Sequence, residues 1–120
     1  MKVDVRFHGS KGSERLREHA KRRIAFGFGR IAPEVSLVRV RLGDENGPRG
    51  GVDQRCHVTV VGPSFGQLEV EQLGADPFAT VSSAVDRIAR TTGRRLERNR
   101  PVRGGGSIRL PWAGGLRVGP

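Results

Sequence analysis

Four arginines in the segment 76–100 recur at intervals of three and four residues: Arg87, Arg90, Arg94 and Arg98. In an α-helix, where successive residues are rotated by about 100°, this spacing places all four on one side. At a rise of about 1.5 Å per residue, the row is roughly 16 Å long. Guanidinium groups bind phosphates through paired hydrogen bonds, so the chemistry indicated is anion binding. Of the acidic residues in the segment, we expect only Asp86 and Glu97 to lie near enough to neutralise part of the row.

The other residues of this segment predict the helix that would present the row. Apolar or small residues on the opposite side form a stripe of Phe78, Val81, Val85, Ile88, Thr92 and Leu96. Asp76 before Pro77 is typical of an N-cap followed by the first helical residue. Gly93 weakens a helix by about 1 kcal/mol relative to alanine, and we expect it to mark a bend or a close approach.

A charged helix face is often only solvated, and that is the plain alternative here. The run carries one sign of charge, however, and Arg95, Arg100 and Arg103 extend it. A membrane surface would also attract it, but the apolar stripe is narrow and has no Trp or run of Leu to enter an interface. We therefore favour a polyanion as the partner.

Composition supports this interpretation. The chain has 120 residues and a formal net charge of +10, which favours nucleic acid over a small-molecule partner. A lone cysteine, Cys56, allows no intrachain disulfide, and no apolar run is long enough to cross a membrane. We expect a cytoplasmic protein with one domain at residues 1–100 and a flexible, basic, Gly/Pro-rich tail at residues 101–120.

The preceding residues predict the scaffold. Alternation over Lys2 to His8 indicates a half-buried strand, and Ser13 before Glu14 a helix start. This first helix would bury Leu16, Ala20 and Ile24, with Phe28 or Ile31 as a further candidate, and would expose Arg15, Arg17, Lys21, Arg22 and Arg23. We expect the segment 26–29, FGFG, to loosen its end. Phe26 and Phe28 could stack on bases, but core packing is the favoured interpretation.

Three further strands are predicted, around residues 38–42, 52–60 and 67–71, because apolar and polar residues alternate there. The loop 44–51, DENGPRGG, predicts a hairpin with Arg49 at its tip. The simplest arrangement is an α+β fold, a two-layer β-α-β-β-β-α domain whose four-stranded sheet carries both helices on one face. On the open face we expect Glu69 and Glu71 to pair with some of its four arginines, Arg6, Arg39, Arg41 and Arg55.

Catalytic residues are hard to find. His8, His19 and His57 are dispersed, and adjacent residues in a strand, such as Cys56 and His57, point to opposite faces. Metal-ligand spacing is missing, and the glycine-rich loop lacks the Gly-Lys-Ser/Thr ending of a phosphate loop. We therefore predict a binding protein and not an enzyme, with no cofactor, no metal and no small-molecule substrate.

Three segments carry a resemblance to a known family: residues 13–17 (SERLR) after the first strand, 46–56 (NGPRGGVDQRC) and 76–94 (DPFATVSSAVDRIARTTGR). In order and spacing they resemble the short ribosome hibernation promoting factors, also called ribosome-associated translation inhibitors or ribosomal subunit interface proteins. The resemblance covers roughly residues 1–100. Ser82 stands where the family often has Asp, and Thr91 where Gln is common, so contacts there are expected to differ.

The resemblance implies a domain that sits in the small ribosomal subunit, contacts rRNA through basic helices and silences the ribosome during stress or stationary phase. Matched to the family motif, Arg87, Arg90 and Arg94 inherit the RNA-contacting role, and Arg15 and Arg22 follow on the first helix. Arg98, Arg95, Lys21 and Arg49 are added because of their positive charge and their position near these residues or at the hairpin tip. The predicted RNA-binding set is therefore Arg87, Arg90, Arg94, Arg98, Arg95, Arg15, Arg22, Lys21 and Arg49. No dimerising domain follows Arg100, so we expect this chain alone not to pair ribosomes.

Two alternatives stay open at this point. Two helices on one face of an antiparallel sheet also serve double-stranded-RNA-binding modules that act apart from the ribosome. A basic helical surface can also bind an acidic protein partner.

Overall fold

The computed structural model describes residues 1–8, 13–44 and 54–99. The elements follow the predicted order of strand, helix, three strands and helix. They are β1 (Lys2–His8), α1 (Glu14–Phe28), a short 3-10 helix (Ala32–Glu34), β2 (Leu37–Asp44), β3 (Gln54–Gly62), β4 (Gly66–Gly74) and α2 (Pro77–Asn99). The predicted α+β class and element order are confirmed.

The four strands form one mixed sheet in the order β1-β2-β3-β4. β1 runs parallel to β2, which α1 makes possible by serving as the crossover, and the other two pairings are antiparallel. Side chains that face the helices align in rows across the sheet, the central row being Val5, Val40, Val58 and Val70. The alternation read from the sequence thus marks the buried face of all four strands.

Both helices cover that face, as predicted. α2 packs against β3 and β4, and α1 lies beside α2 and contacts β1. The buried helix residues are Leu16, Ala20, Ile24 and Phe28 of α1 and Thr80, Val81, Ala84, Val85, Ile88, Ala89, Thr92 and Leu96 of α2. Thr92 is tolerated there because its hydroxyl donates to the carbonyl of Ile88 at 2.7 Å.

Both predicted helix starts are confirmed by their caps. The backbone N–H of Leu16 donates to Ser13 Oγ at 3.1 Å. The two carboxylate oxygens of Asp76 accept from the N–H groups of Phe78 and Ala79 at 3.4 and 3.3 Å. Each cap satisfies N–H groups that the first helical turn leaves without a partner.

Three expectations about the ends of the helices and their aromatic residues need correction. α1 does not loosen at Phe26 but continues through Phe28, whose ring is fully buried in the core. Phe26, favoured as a core residue, is 80% exposed because it lies on the other side of the helix. Phe78, assigned to the buried stripe, is 37% exposed at the start of α2 and contacts the His19 ring edge-on at 5.2 Å between centroids.

Some predictions fall outside the described residues. These are the hairpin tip with Arg49, the arginines at positions 100 and 103 and the tail at 101–120, so the domain boundary stays a prediction. The strands that flank the hairpin do pair antiparallel, with Asp44 opposite Gln54.

Candidate nucleic-acid interface

The arginine row lies on the exposed side of α2. Arg87, Arg90, Arg94 and Arg98 are all exposed, while the opposite side of the helix lies in the core. Within the part of the chain that the structure describes, none of these four guanidiniums forms an ion pair with a carboxylate. The row therefore keeps its positive charge on a rigid support.

Asp86, expected to neutralise part of the row, is instead paired with α1. Arg23 Nη2 donates to Asp86 Oδ1 at 2.5 Å and to Oδ2 at 2.6 Å, and the two side chains are 32% and 35% exposed. The expectation was wrong because the packing of α1 beside α2 provides a closer cation from another element. Arg23 Nε is buried and has no hydrogen-bond partner among the described residues, which is a local cost of this contact.

Arg87 marks the edge of the row nearest the sheet. Its Nη1 donates to Gln72 Oε1 at 3.1 Å and to the carbonyl oxygen of Glu71 at 3.4 Å. Both acceptors are neutral, so they orient the guanidinium toward β4 and leave its charge in place. The remaining N–H groups of Arg87 are available for a phosphate.

A groove between the helices marks the other edge of the row. Arg90 and Arg94 line it from α2, and Arg30, which follows α1, lines it from the opposite side. Arg95, also predicted to bind RNA, is only partly exposed on the flank of α2. The three groove arginines, from two parts of the chain, thus lie around one concave surface.

The basic residues of α1 divide into two groups. Arg15, Lys21 and Arg22 are exposed, as the RNA-binding prediction requires. Arg17 is a structural residue, since its Nη1 donates to the carbonyl of Val5 at 2.6 Å and its guanidinium lies 5.1 Å from the centre of the Phe7 ring. Arg17 and Arg23, which were not in the predicted RNA-binding set, therefore make contacts within the protein.

A second contact joins the helices near their first turns. His19 Nε2 lies 2.7 Å from Ser82 Oγ and 3.2 Å from the carbonyl oxygen of Phe78. Ser82 is one of the positions expected to depart from the family pattern, and here it contacts the other helix. With the Arg23–Asp86 pair, this contact holds α1 and α2 as one unit, so the basic residues of both helices keep a fixed arrangement.

Two solved structures superpose on most of this chain. A ribosomal subunit interface protein from Coxiella burnetii superposes with a TM-score of 0.66 at 14% identity, covering 81% of this chain and 99% of that chain. The N-terminal domain of Protein Y from Thermus thermophilus superposes with a TM-score of 0.64 at 22% identity, covering 79% and 99%. The chain has the fold of these proteins. No family model matches the sequence, and no curated protein matches it.

On the open face of the sheet, the predicted pairing of Glu69 and Glu71 with arginines is found only for Glu71. Arg55 Nη1 pairs with Glu71 Oε2 at 2.9 Å, as expected. Arg39 and Arg6 instead pair with Asp4, at 3.2 and 3.0 Å, because Asp4 lies directly opposite Arg39 in the parallel register. Much of the charge on this face is therefore compensated within the protein, in contrast to the helix face.

Glu69, which was expected to pair with an arginine of the open face, instead pairs with His57. The Nε2 of His57 donates to Glu69 Oε1 at 2.8 Å, and Arg41 Nη2 lies 3.4 Å from the Nδ1 of His57. Hydrogen bonds from His57 and, second, from Gln67 lower the pKa of Glu69. Glu69 is therefore held as an anion, which is a structural role.

Among the described residues, His, Cys, Asp and Glu side chains are the candidates for binding a metal ion. No group of three or more His, Cys, Asp or Glu side chains among them is placed to hold a metal ion. Cys56 is buried, and burial raises the pKa of its thiol to about 12. No helix in the described ranges is long and apolar enough to span a membrane.

The sequence did not point to Arg30, which lines the groove, and it favoured core packing over base stacking for Phe26, whose ring is exposed. The spacing of Leu16, Ala20 and Ile24 predicts that Phe28 continues the buried stripe and that Phe26 faces away from it, so the signal for an exposed ring was present. Arg30 had no such signal, because only the packing of the helices brings it near Arg90.

Proposed function

We propose that this protein binds the small ribosomal subunit through its rRNA and inhibits translation by occupying the path of mRNA and tRNA. The observation that carries the proposal is the exposed arginine row on α2, which lacks carboxylate partners among the described residues. The shared fold with a ribosomal subunit interface protein and the sequence resemblance to hibernation factors support the same conclusion. The mechanism is steric, so it needs no catalytic residue.

The physical basis is charge-assisted binding to phosphates from a preordered surface. Arg87, Arg90, Arg94 and Arg98 present guanidinium donors along roughly 16 Å of helix. Arg15, Lys21 and Arg22 extend the surface onto α1, while Arg95 and Arg49 are proposed contacts at its margins. Two side-chain contacts already hold the helices together. Binding therefore does not have to order the helices, so little of the binding free energy is offset by a loss of conformational entropy.

A protein of this kind would act in the cytoplasm when translation slows, in stationary phase or under stress. A protein that occupies the mRNA path prevents idle subunits from initiating translation, and this steric block itself consumes no energy. We propose hibernation as the biological role on these grounds.

The salt dependence of binding to purified small subunits tests the proposal. Each phosphate contact contributes about 0.7 to 0.9 to the slope of log K against log salt, so the triple variant Arg87→Ala, Arg90→Ala, Arg94→Ala should lower the slope by about 2 to 3. The matched control removes three charges from the open face, by Arg6→Ala, Arg39→Ala and Arg41→Ala. We expect the control slope to stay within about one of the wild-type slope, because these residues contact groups of their own sheet.

Two results would contradict the proposal. An unchanged slope in the helix variant would mean that the row does not meet phosphates. Equal losses in both variants would indicate attraction to net charge and not to a defined surface.

Two further measurements separate the proposal from its alternatives. Tighter binding to isolated RNA duplexes than to intact small subunits would favour a double-stranded-RNA-binding module. Pull-down from stationary-phase cells with and without nuclease addresses an acidic protein partner, since a partner retained after the RNA is digested would replace the ribosome as the target.

A further inference from the structure

The interhelical groove, lined by Gly27, Arg30, Ala89, Arg90, Gly93 and Arg94, encloses about 360 Å³. A second depression of about 310 Å³ shares Gly27, Ala89 and Arg90 with it and includes Phe26 in its wall. Each volume lies near the lower end of the range of roughly 300 to 1,000 Å³ found for small-ligand sites. The two depressions together form one concave surface beside the arginine row.

Glycine at position 93 opens this groove. A Cβ added to Gly93 would meet no atom within 4 Å, so neither close packing nor a positive φ requires glycine there. Glycine in a helix interior is nonetheless unfavourable relative to alanine. Gly27, by contrast, is needed for packing, because its Cβ would lie 3.1 Å from that of Ala89. Gly93 therefore leaves open a part of the groove that a larger side chain would occupy.

The rim of the groove is cationic. Arg30, Arg90 and Arg94 are exposed, and no carboxylate of the described residues pairs with any of them. Two acidic residues line the surface: Glu97 in the wall of the groove, and Asp86, which is paired with Arg23, in the wall of the second depression. Three guanidiniums around an open concave surface favour a phosphate-bearing ligand over a neutral one.

Phe26 adds an aromatic surface to this charge. Its ring is 80% exposed, and the guanidinium of Arg23 lies 5.6 Å from the ring centre. Arg23 is in turn held by both oxygens of Asp86. The ring is therefore positioned on one side by a fixed cation and is open to solvent on the other. Arginine and aromatic planes are the groups on which proteins stack unpaired bases.

We propose that the interhelical groove and the adjoining second depression together receive one unpaired nucleotide of RNA, with its base stacked on Phe26 and its flanking phosphates bound by Arg30, Arg90 and Arg94. The inference rests on the proposed function, because it names the feature of the RNA that the helix face recognises. A continuous duplex does not satisfy the groove, since its bases are not available for stacking.

The nucleotide site can be tested by measuring how tightly each variant binds purified small subunits and how that affinity depends on salt. Phe26→Ala and Phe26→Leu should each weaken binding by at least about fivefold, while Phe26→Trp should keep affinity within about twofold, because stacking needs a ring. None of the three should change the salt slope. Arg30→Ala should lower that slope by about one, since it removes a phosphate contact. Gly93→Leu should fill the groove and weaken binding. We expect this variant to unfold at no lower temperature than the wild type, so the weaker binding would not result from unfolding.

Leu73→Ala is the matched control for loss of an exposed apolar side chain, since Leu73 is 51% exposed and lies on the open face of the sheet. Its affinity should equal that of the wild type.

Ultraviolet crosslinking at saturation gives a direct readout. A nucleotide should be found on the tryptic peptide of residues 24–30, with Phe26 as the modified residue.

Wild-type affinity of Phe26→Ala and Gly93→Leu, with an unmodified 24–30 peptide, would overturn the nucleotide site and leave the proposed function standing. Failure of the arginine-row variant to change the salt slope would overturn the proposed function itself. Loss of binding in Phe26→Leu with equal loss in Leu73→Ala would show that apolar area, and not stacking, matters.

Discussion

Arg23 Nη2 on α1 lies 2.5 and 2.6 Å from the two carboxylate oxygens of Asp86 on α2, and the same guanidinium lies over the ring of Phe26. One side chain thus joins the two helices and positions the exposed aromatic residue at the groove. It also engages Asp86, the carboxylate next to Arg87 in the sequence, so the arginine row is left with less internal compensation.

The Arg23–Asp86 pair should stabilise the fold measurably. Because both side chains are about a third exposed, solvent screening keeps its value well below that of a buried pair. We expect Arg23→Ala and Asp86→Ala each to lower the free energy of unfolding by about 1 to 2 kcal/mol. In the double variant the losses should fall short of additivity by about 1 kcal/mol, measured by urea denaturation.

Glu97→Ala is the control for this cycle, since it removes an exposed carboxylate from the same helix. Its free energy of unfolding should stay within about 0.5 kcal/mol of the wild type. Additive losses in the Arg23 and Asp86 variants would show that the two side chains do not interact.

Two glycines should respond to alanine in opposite directions. Gly93→Ala should stabilise the protein by up to about 1 kcal/mol, since the added Cβ meets no atom and alanine is the better helix former. Gly62→Ala should destabilise it by about 1 to 3 kcal/mol, because its Cβ would lie 2.7 Å from the carbonyl oxygen of Glu34 and 2.5 Å from the Phe65 ring. Thermal unfolding of both variants measures the difference, and a shift of the same sign in both would contradict the packing described.

The Cys56 thiol should be unreactive in the native protein. Its pKa is raised to about 12 by burial, so at pH 8 about one thiol in ten thousand is ionised. Since the thiolate is the reacting species, a disulfide reagent such as DTNB should modify the folded chain slowly and the urea-unfolded chain quickly. Equal rates in the two states would show that the strand bearing Cys56 opens readily.

Glu69 should titrate below its usual pKa of 4.5, because hydrogen bonds from His57 and Gln67 favour the charged carboxylate. The folded-state pKa is lowered, so the stability that this contact contributes is present above pH 4.5 and is lost as the pH falls through the folded-state value. NMR titration of the Glu69 carboxyl carbon in the wild type and in His57→Leu measures the effect. The pKa should rise in the variant, and an identical value in both proteins would remove the role given to His57.

The local pattern of the sequence was sufficient to predict the elements and the arginine row. Alternation along Lys2 to His8 and the three-and-four spacing from Val81 to Leu96 reflect backbone geometry, which repeats every two residues in a strand and every 3.6 in a helix. The exposure of Arg90 and Arg94 followed from the same spacing, because residues opposite a buried stripe face solvent.

Tertiary structure alone decided the partners of the charged groups and the shape of the groove. Arg23 and Asp86 are 63 positions apart, and their contact depends on how two helices pack on one sheet. The same packing brings Arg30 beside Arg90 and leaves the space above Gly93 open. Such contacts depend on the relative positions of whole elements, and the periodicity of one element carries no information about its distance from another.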